Sequence, residues 1–120
     1  MVDGKLLVNT GCSVNLGLVH SSEEIIDISM GGKVKKWIKL FGPGWDLVKA
    51  YKNGQISEET YRKTYLIRMR HSYQDNRPEW EKFLKKKRVR LFCFCKTGFC
   101  HRFILAEILI KLGAEKGEWL

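Results

Sequence analysis

Three of the four cysteines and one of the three histidines fall in the string CFCKTGFCHR, which runs from Cys93 to Arg102. A thiolate is a nucleophile and a metal ligand, an imidazole carries protons near neutrality, and a guanidinium offers paired donors to phosphate or carboxylate. A short strand that breaks at a glycine and opens a helix adds unpaired backbone N–H groups and the positive end of a helix dipole at one point. That point suits an anion. Cys95, at the end of the strand, and Cys100 and His101, at the start of the helix, are therefore candidate catalytic residues. Thr97, Gly98 and Arg102 are candidate ligands for a phosphate-bearing group.

The cluster has three readings. Metal ligation would use Cys93, Cys95, Cys100 and His101. A pleated strand, however, turns neighbouring side chains to opposite faces, and the paired short spacings of a zinc ribbon are absent. On these grounds no metal is assigned and no cofactor identified. Nucleophilic chemistry would resemble the phosphatase and rhodanese loops, in which a cysteine ends a strand and an arginine starts the next helix around an oxyanion. Six residues separate Cys95 from Arg102, a longer loop than in either group. In the third reading the cysteines are small buried hydrophobes and Arg102 forms a structural ion pair.

The elements that position these residues follow from apolar spacing. Val89 and Leu91 to Phe94 predict a short buried strand, and Thr97 and Gly98 break it. Apolar residues at 103, 104, 105, 108, 109 and 112 predict a buried helix from residue 99 or 100, with Gly113 as its C-terminal cap. Upstream, Lys5 to Asn9 predicts a first strand in the middle of a parallel sheet. Cys12 to His20 reads equally as strand or core-packed loop. Glu24 to Ser29 predicts a second strand, ended by Met30-Gly31-Gly32. Asp27 and Ser29 stand at its end, where open α/β sheets bind ligands, so both are candidate ligand-binding residues. Asp27 as a turn or cap residue is the competing reading.

Between these strands, Lys33 to Phe41 carries Val34, Trp37, Ile38 and Phe41 at helical spacing before the Gly42-Pro43-Gly44 break. Trp37 and Trp45 read as core or rim packing. Asp46 to Asn53 predicts a second helix with Gly54 following it. Ser57 predicts an N-cap for a third, to about Tyr73, with Tyr61, Tyr65, Leu66, Met69 and Tyr73 on one face. That stripe reads as core, although aromatics beside basic residues can also stack bases. Asn76 and Pro78 start a fourth helix. Strands alternating with helices predict a single small α/β domain with a mostly parallel, Rossmann-like sheet.

A family resemblance enters at these residues. LFCFCKTGFCHRFILAEIL resembles the C-terminal signature of the DUF488 family, in which a cysteine-bearing strand runs into a Cys-His-Arg helix start. EIIDIS resembles the family's second strand, and GPGWDLVKAYKNGQISEETYRKTY its central proline turn, lysine-bearing helix and tyrosine-rich helix. The resemblance covers most of the chain and implies a compact, Rossmann-like α/β fold across residues 1–120.

Composition bounds the function. A chain of 120 residues, 44% apolar, suits one core. No apolar run approaches the roughly 18 residues of a membrane span, and the start does not resemble a secretory signal. A cytoplasmic protein with reduced thiols and no membrane partner is expected. The balance of 22 Lys and Arg against 13 Asp and Glu gives a net charge of +9. Such an excess suits a polyanionic partner, or simply a solubilised surface. Lys33, Lys35, Lys36 and Lys39 form one basic group, Arg62, Lys63, Arg68, Arg70 and His71 a second, and Lys82, Lys85 to Arg88 and Arg90 a third. Two functions remain: a protein that binds a phosphate-bearing small molecule or nucleotide, with cysteine-based chemistry, and a non-enzymatic nucleic-acid-binding module. The sequence leaves oligomeric state open.

Overall fold

The computed structural model describes residues 6–12, 23–28, 35–93 and 100–119. Four strands form one all-parallel sheet: β1 (Leu7–Cys12), β2 (Glu24–Asp27), β3 (Arg88–Cys93) and β4 (Glu115–Trp119), in the order β2-β3-β1-β4. Five helices accompany it: α1 (Lys35–Phe41), α2 (Trp45–Lys52), α3 (Glu58–Asp75), α4 (Arg77–Leu84) and α5 (His101–Lys111). The central place of β1 follows from its apolar start, since a strand paired on both sides has no wet edge.

Helix boundaries follow their caps. The Ser57 hydroxyl accepts a bond from the Thr60 amide at 3.1 Å and opens α3, with Glu58 and Glu59 favourably placed in the first turn. Asn76 precedes α4, whose first turn holds Pro78. Gly54 and Gly113, after α2 and α5, take φ of 74° and 114°, a region that costs residues with a Cβ.

Val8, Ile26, Val89 and Leu91 share one sheet face and join Ile104, Leu105 and Leu109 of α5 in the core. A second layer forms as α3 packs on α5 and contacts α1, α2 and α4. Its centre is aromatic: Phe41 meets Trp80 and Phe83 edge-on, both at 5.0 Å between centroids, and stacks beside Trp37 at 6.0 Å. Hydrogen bonds fix the helices around it. The Tyr65 hydroxyl donates to the Phe41 carbonyl at 2.8 Å. Ser72 Oγ donates to the Leu40 carbonyl at 2.8 Å and accepts from Trp80 Nε1 at 3.0 Å. The predicted tyrosine face is core at Tyr61, Tyr65 and Met69, but Leu66 is exposed. Trp37 is buried as expected, whereas Trp45 is 52% exposed and so is not a core residue.

The sequence reading lacks β4. Glu115 to Trp119 has too little apolar alternation to announce a strand, yet it adds to β1 through backbone bonds and three tertiary contacts. The Glu118 amide donates to Asn9 Oδ1 at 2.6 Å, the Trp119 indole donates to the Val8 carbonyl at 3.2 Å, and the Trp119 ring lies against Phe103. Gly117 permits this approach, because a Cβ there would run into Asn9 Oδ1. An edge strand held by its partner's backbone carries a weak local signal.

Candidate functional site

The carboxyl ends of β1, β2 and β3 lie side by side, with Cys12 paired to Cys93, and Gly11 and Asp27 both paired to Phe92. Cys93 follows Val89 and Leu91 on the face that α5 covers. Cys100, the residue before the first turn of α5, has an extended backbone (φ −154°, ψ 145°). His101 and Arg102 begin the helix. The site is thus one strand end meeting one helix start.

Cys93, Cys100 and His101 each bring a ligand-type atom within 4.8 Å of the others, and all three are buried. His101 Nε2 lies 2.8 Å from the Ile28 carbonyl, just beyond β2. A carbonyl only accepts, so Nε2 carries the proton and a neutral ring keeps its lone pair on Nδ1. The Tyr65 ring lies 5.7 Å from the imidazole and forms part of the wall. Burial foremost, and then neighbouring Tyr61, Cys100 and Cys93, holds the Tyr65 phenol well above its ordinary pKa. It is a neutral hydroxyl at any physiological pH.

Arg102 is buried, with its guanidinium carbon 4.3 Å from the centroid of the Phe103 ring. It belongs to the first turn of α5, where an anion gains from both charge and dipole. Of the other candidate residues, Asp27 pairs with Phe92, one residue before Cys93, and so sits on the opposite sheet face from the Cys93 side chain. The arrangement does not join it to the thiols. Ser29, Cys95, Thr97 and Gly98, with the undecided segment from Cys12 to His20, fall beyond the described residues except at the Cys12 backbone. Sequence reasoning missed the part of Tyr65, whose core position in α3 was legible but whose neighbours at the strand ends were not.

The objection to a common ligand point, that a pleated strand splits neighbouring side chains, is misplaced: Cys93 and Cys95 are two residues apart, and alternation puts such a pair on one face. The strand gives only Cys93, and the helix start gives Cys100 and His101. The basic groups also sort differently in space. Lys36 pairs with Glu79 at 3.3 Å, Arg62 with Glu107 at 3.2 Å, Arg68 with Asp46 at 2.9 Å and Lys86 with Glu24 at 2.8 Å. Arg90 is interior: it meets Glu23 at 2.9 Å, Glu118 at 2.7 Å and the Thr10 carbonyl at 2.7 Å. Among the described residues no helix is long and apolar enough to cross a membrane.

Fold and site together define a small Rossmann-like α/β domain with a thiol–imidazole cluster at the carboxyl end of a parallel sheet. The chain belongs to the DUF488 family: DUF488-N3a, described as the active DUF488-N3 subclade, matches residues 16–113. The matched span holds β2 through α5 and leaves β1 and β4 outside. No curated protein and no solved structure matches the chain.

Proposed function

We propose that this chain is an enzyme that binds a phosphate-bearing small molecule or nucleotide at the carboxyl edge of its sheet, with cysteine-based chemistry beside it. One observation carries the reading: the gathering of Cys93, Cys100 and His101 where β3 ends and α5, with Arg102 in its first turn, begins. Arg102 and the amides at the helix start are the anion's partners. The cluster supplies the reactive group, with the sulfur of Cys100, or of Cys95 five residues earlier in the chain, as nucleophile or ligand and His101 as a nearby imidazole. The family's description as an active subclade supports an enzyme over an inert scaffold.

Titration of inorganic phosphate and of nucleoside phosphates into the chain and its Arg102→Lys variant tests the anion site. Loss of the bidentate fork should weaken binding by roughly 1.5 to 3 kcal/mol. Equal affinities for the two proteins would remove Arg102 from the site.

The nucleic-acid-binding module draws support from the +9 charge and from exposed Lys35, Lys39, Lys82, Lys85 and Lys87. The carboxylate partners of Lys36, Arg62, Arg68, Lys86 and Arg90 reduce the field available to phosphates. With about four phosphates neutralised, log K would fall against log salt with a slope of roughly −3 to −4. Failure to bind DNA or RNA at low salt excludes the module.

A further inference from the structure

We propose that Cys93, Cys100 and His101 form a zinc site, a Cys2His set at the junction of β3 and α5. The proposal rests on the same gathering of side chains as the functional reading above, but not on the binding of an anion by Arg102. Zinc takes thiolate sulfur at about 2.3 Å and imidazole nitrogen at about 2.0 Å in a tetrahedral shell. Ligand atoms around such an ion are separated by about 3.5 to 3.8 Å. The three donors already stand within 4.8 Å of one another, about 1 Å beyond the separation that a shared ion sets.

Charge balance is compatible with the same assignment. Cys93, Cys100 and His101 are 4%, 3% and 4% exposed, and two thiolates in such a place are costly unless a cation compensates them. One Zn²⁺ with two thiolates and a neutral imidazole is electrically balanced. The ring is also set for the task. With Nε2–H directed at the Ile28 carbonyl, ligation would fall to Nδ1, and a carbonyl behind a histidine is the usual orienting partner of a metal-bound ring. Soft sulfur donors select zinc over magnesium or calcium. The described residues supply three ligands of the four that a tetrahedral zinc takes.

The test uses the full chain, reduced and stripped with a chelator, with Co²⁺ as spectroscopic probe and Zn²⁺ as competitor. One equivalent of Co²⁺ should give a sulfur-to-cobalt charge-transfer band and the intense visible bands of a four-coordinate ion, and Zn²⁺ should bleach both. X-ray absorption of the zinc-loaded chain should show two sulfur neighbours. Cys93→Ser, Cys100→Ser and His101→Gln should each weaken Co²⁺ by about tenfold or more, since even outer-shell changes at metal sites cost that much. Because these residues are buried, the unaltered chain gives the deciding result: no thiolate band with stoichiometric Co²⁺ overturns the site. A band that persists in folded Cys93→Ser and Cys100→Ser assigns the metal elsewhere and overturns it as well. Arg102→Lys should leave the cobalt spectrum unchanged, so loss of phosphate binding and loss of metal binding remain separate results.

Discussion

Two buried polar assemblies lie on opposite faces of the same strand. On one, Arg90 in the middle of β3 is held by Glu23, Glu118 and the Thr10 carbonyl, and Asn9 joins in through Glu23 and the Glu118 amide. Burial opposes the Arg90 charge, but hydrogen bonds to Glu23 and Glu118 outweigh it and raise its pKa. On the other face, Cys93 meets Cys100, His101 and the neutral phenol of Tyr65, two thiols and an imidazole beside a hydroxyl that keeps its proton. A buried cation with its carboxylates around it is architecture. Thiols and an imidazole gathered at strand ends, where parallel sheets bind ligands, are what the proposed site is built on.

The comparison breaks most visibly at Arg90. Arg90→Met leaves Glu23, whose side chain is 1% exposed, as a buried charge, and should cost about 3 to 5 kcal/mol in urea unfolding. Adding Glu23→Gln should recover part of that loss. A cost under about 1 kcal/mol would mean that Arg90 is not the clamp joining β2, β1 and β4. On the site side, Arg102→Lys should show its roughly 1.5 to 3 kcal/mol in phosphate affinity, with a smaller change in the unfolding midpoint. The reverse pattern would move Arg102 into the architectural class with Arg90.

Tyr65 sharpens the boundary between the two. Tyr65→Phe removes the bond to the Phe41 carbonyl and should cost about 1 kcal/mol at neutral pH. Its folded pKa is raised, so this phenol's contribution is intact below the unfolded value of about 10 and declines as pH rises above it. Wild type should therefore lose stability relative to Tyr65→Phe above that pH, and parallel pH profiles would contradict the buried neutral phenol. The smallest effect belongs to the surface. Replacing Lys85, Lys86 and Lys87 with alanine should change stability by less than about 1 kcal/mol, the lost Lys86–Glu24 pair included. A larger change would show these lysines to be architectural too.

How far each feature could be read from the chain depended on the range of the forces behind it. Ser57, Asn76, Gly54 and Gly113 mark helix ends because capping acts within a few residues, and the apolar spacing of α5 is likewise local. Strand β4 escaped because Glu115 to Trp119 is held by Asn9 and Val8, far away in sequence. Arg90 read as one more residue of a basic run, since nothing near it in the chain announces that Glu23 and Glu118 converge on it.

The amino-acid sequence by itself determined the class of fold, the family, and the strand-to-helix junction at which chemistry-bearing residues collect. These rest on short-range patterning and on one contiguous signature. Tertiary structure alone decided which members meet. The sheet order β2-β3-β1-β4 brings Ile28 to His101 across 73 residues and fixes the proton on Nε2. The pleat of β3 sends Cys93 toward α5 and Arg90 the other way, while Asp27, in register with Phe92, is left on the far face. Alternation along a strand can be read from sequence, but which face becomes the site is set only when a helix packs against one of them.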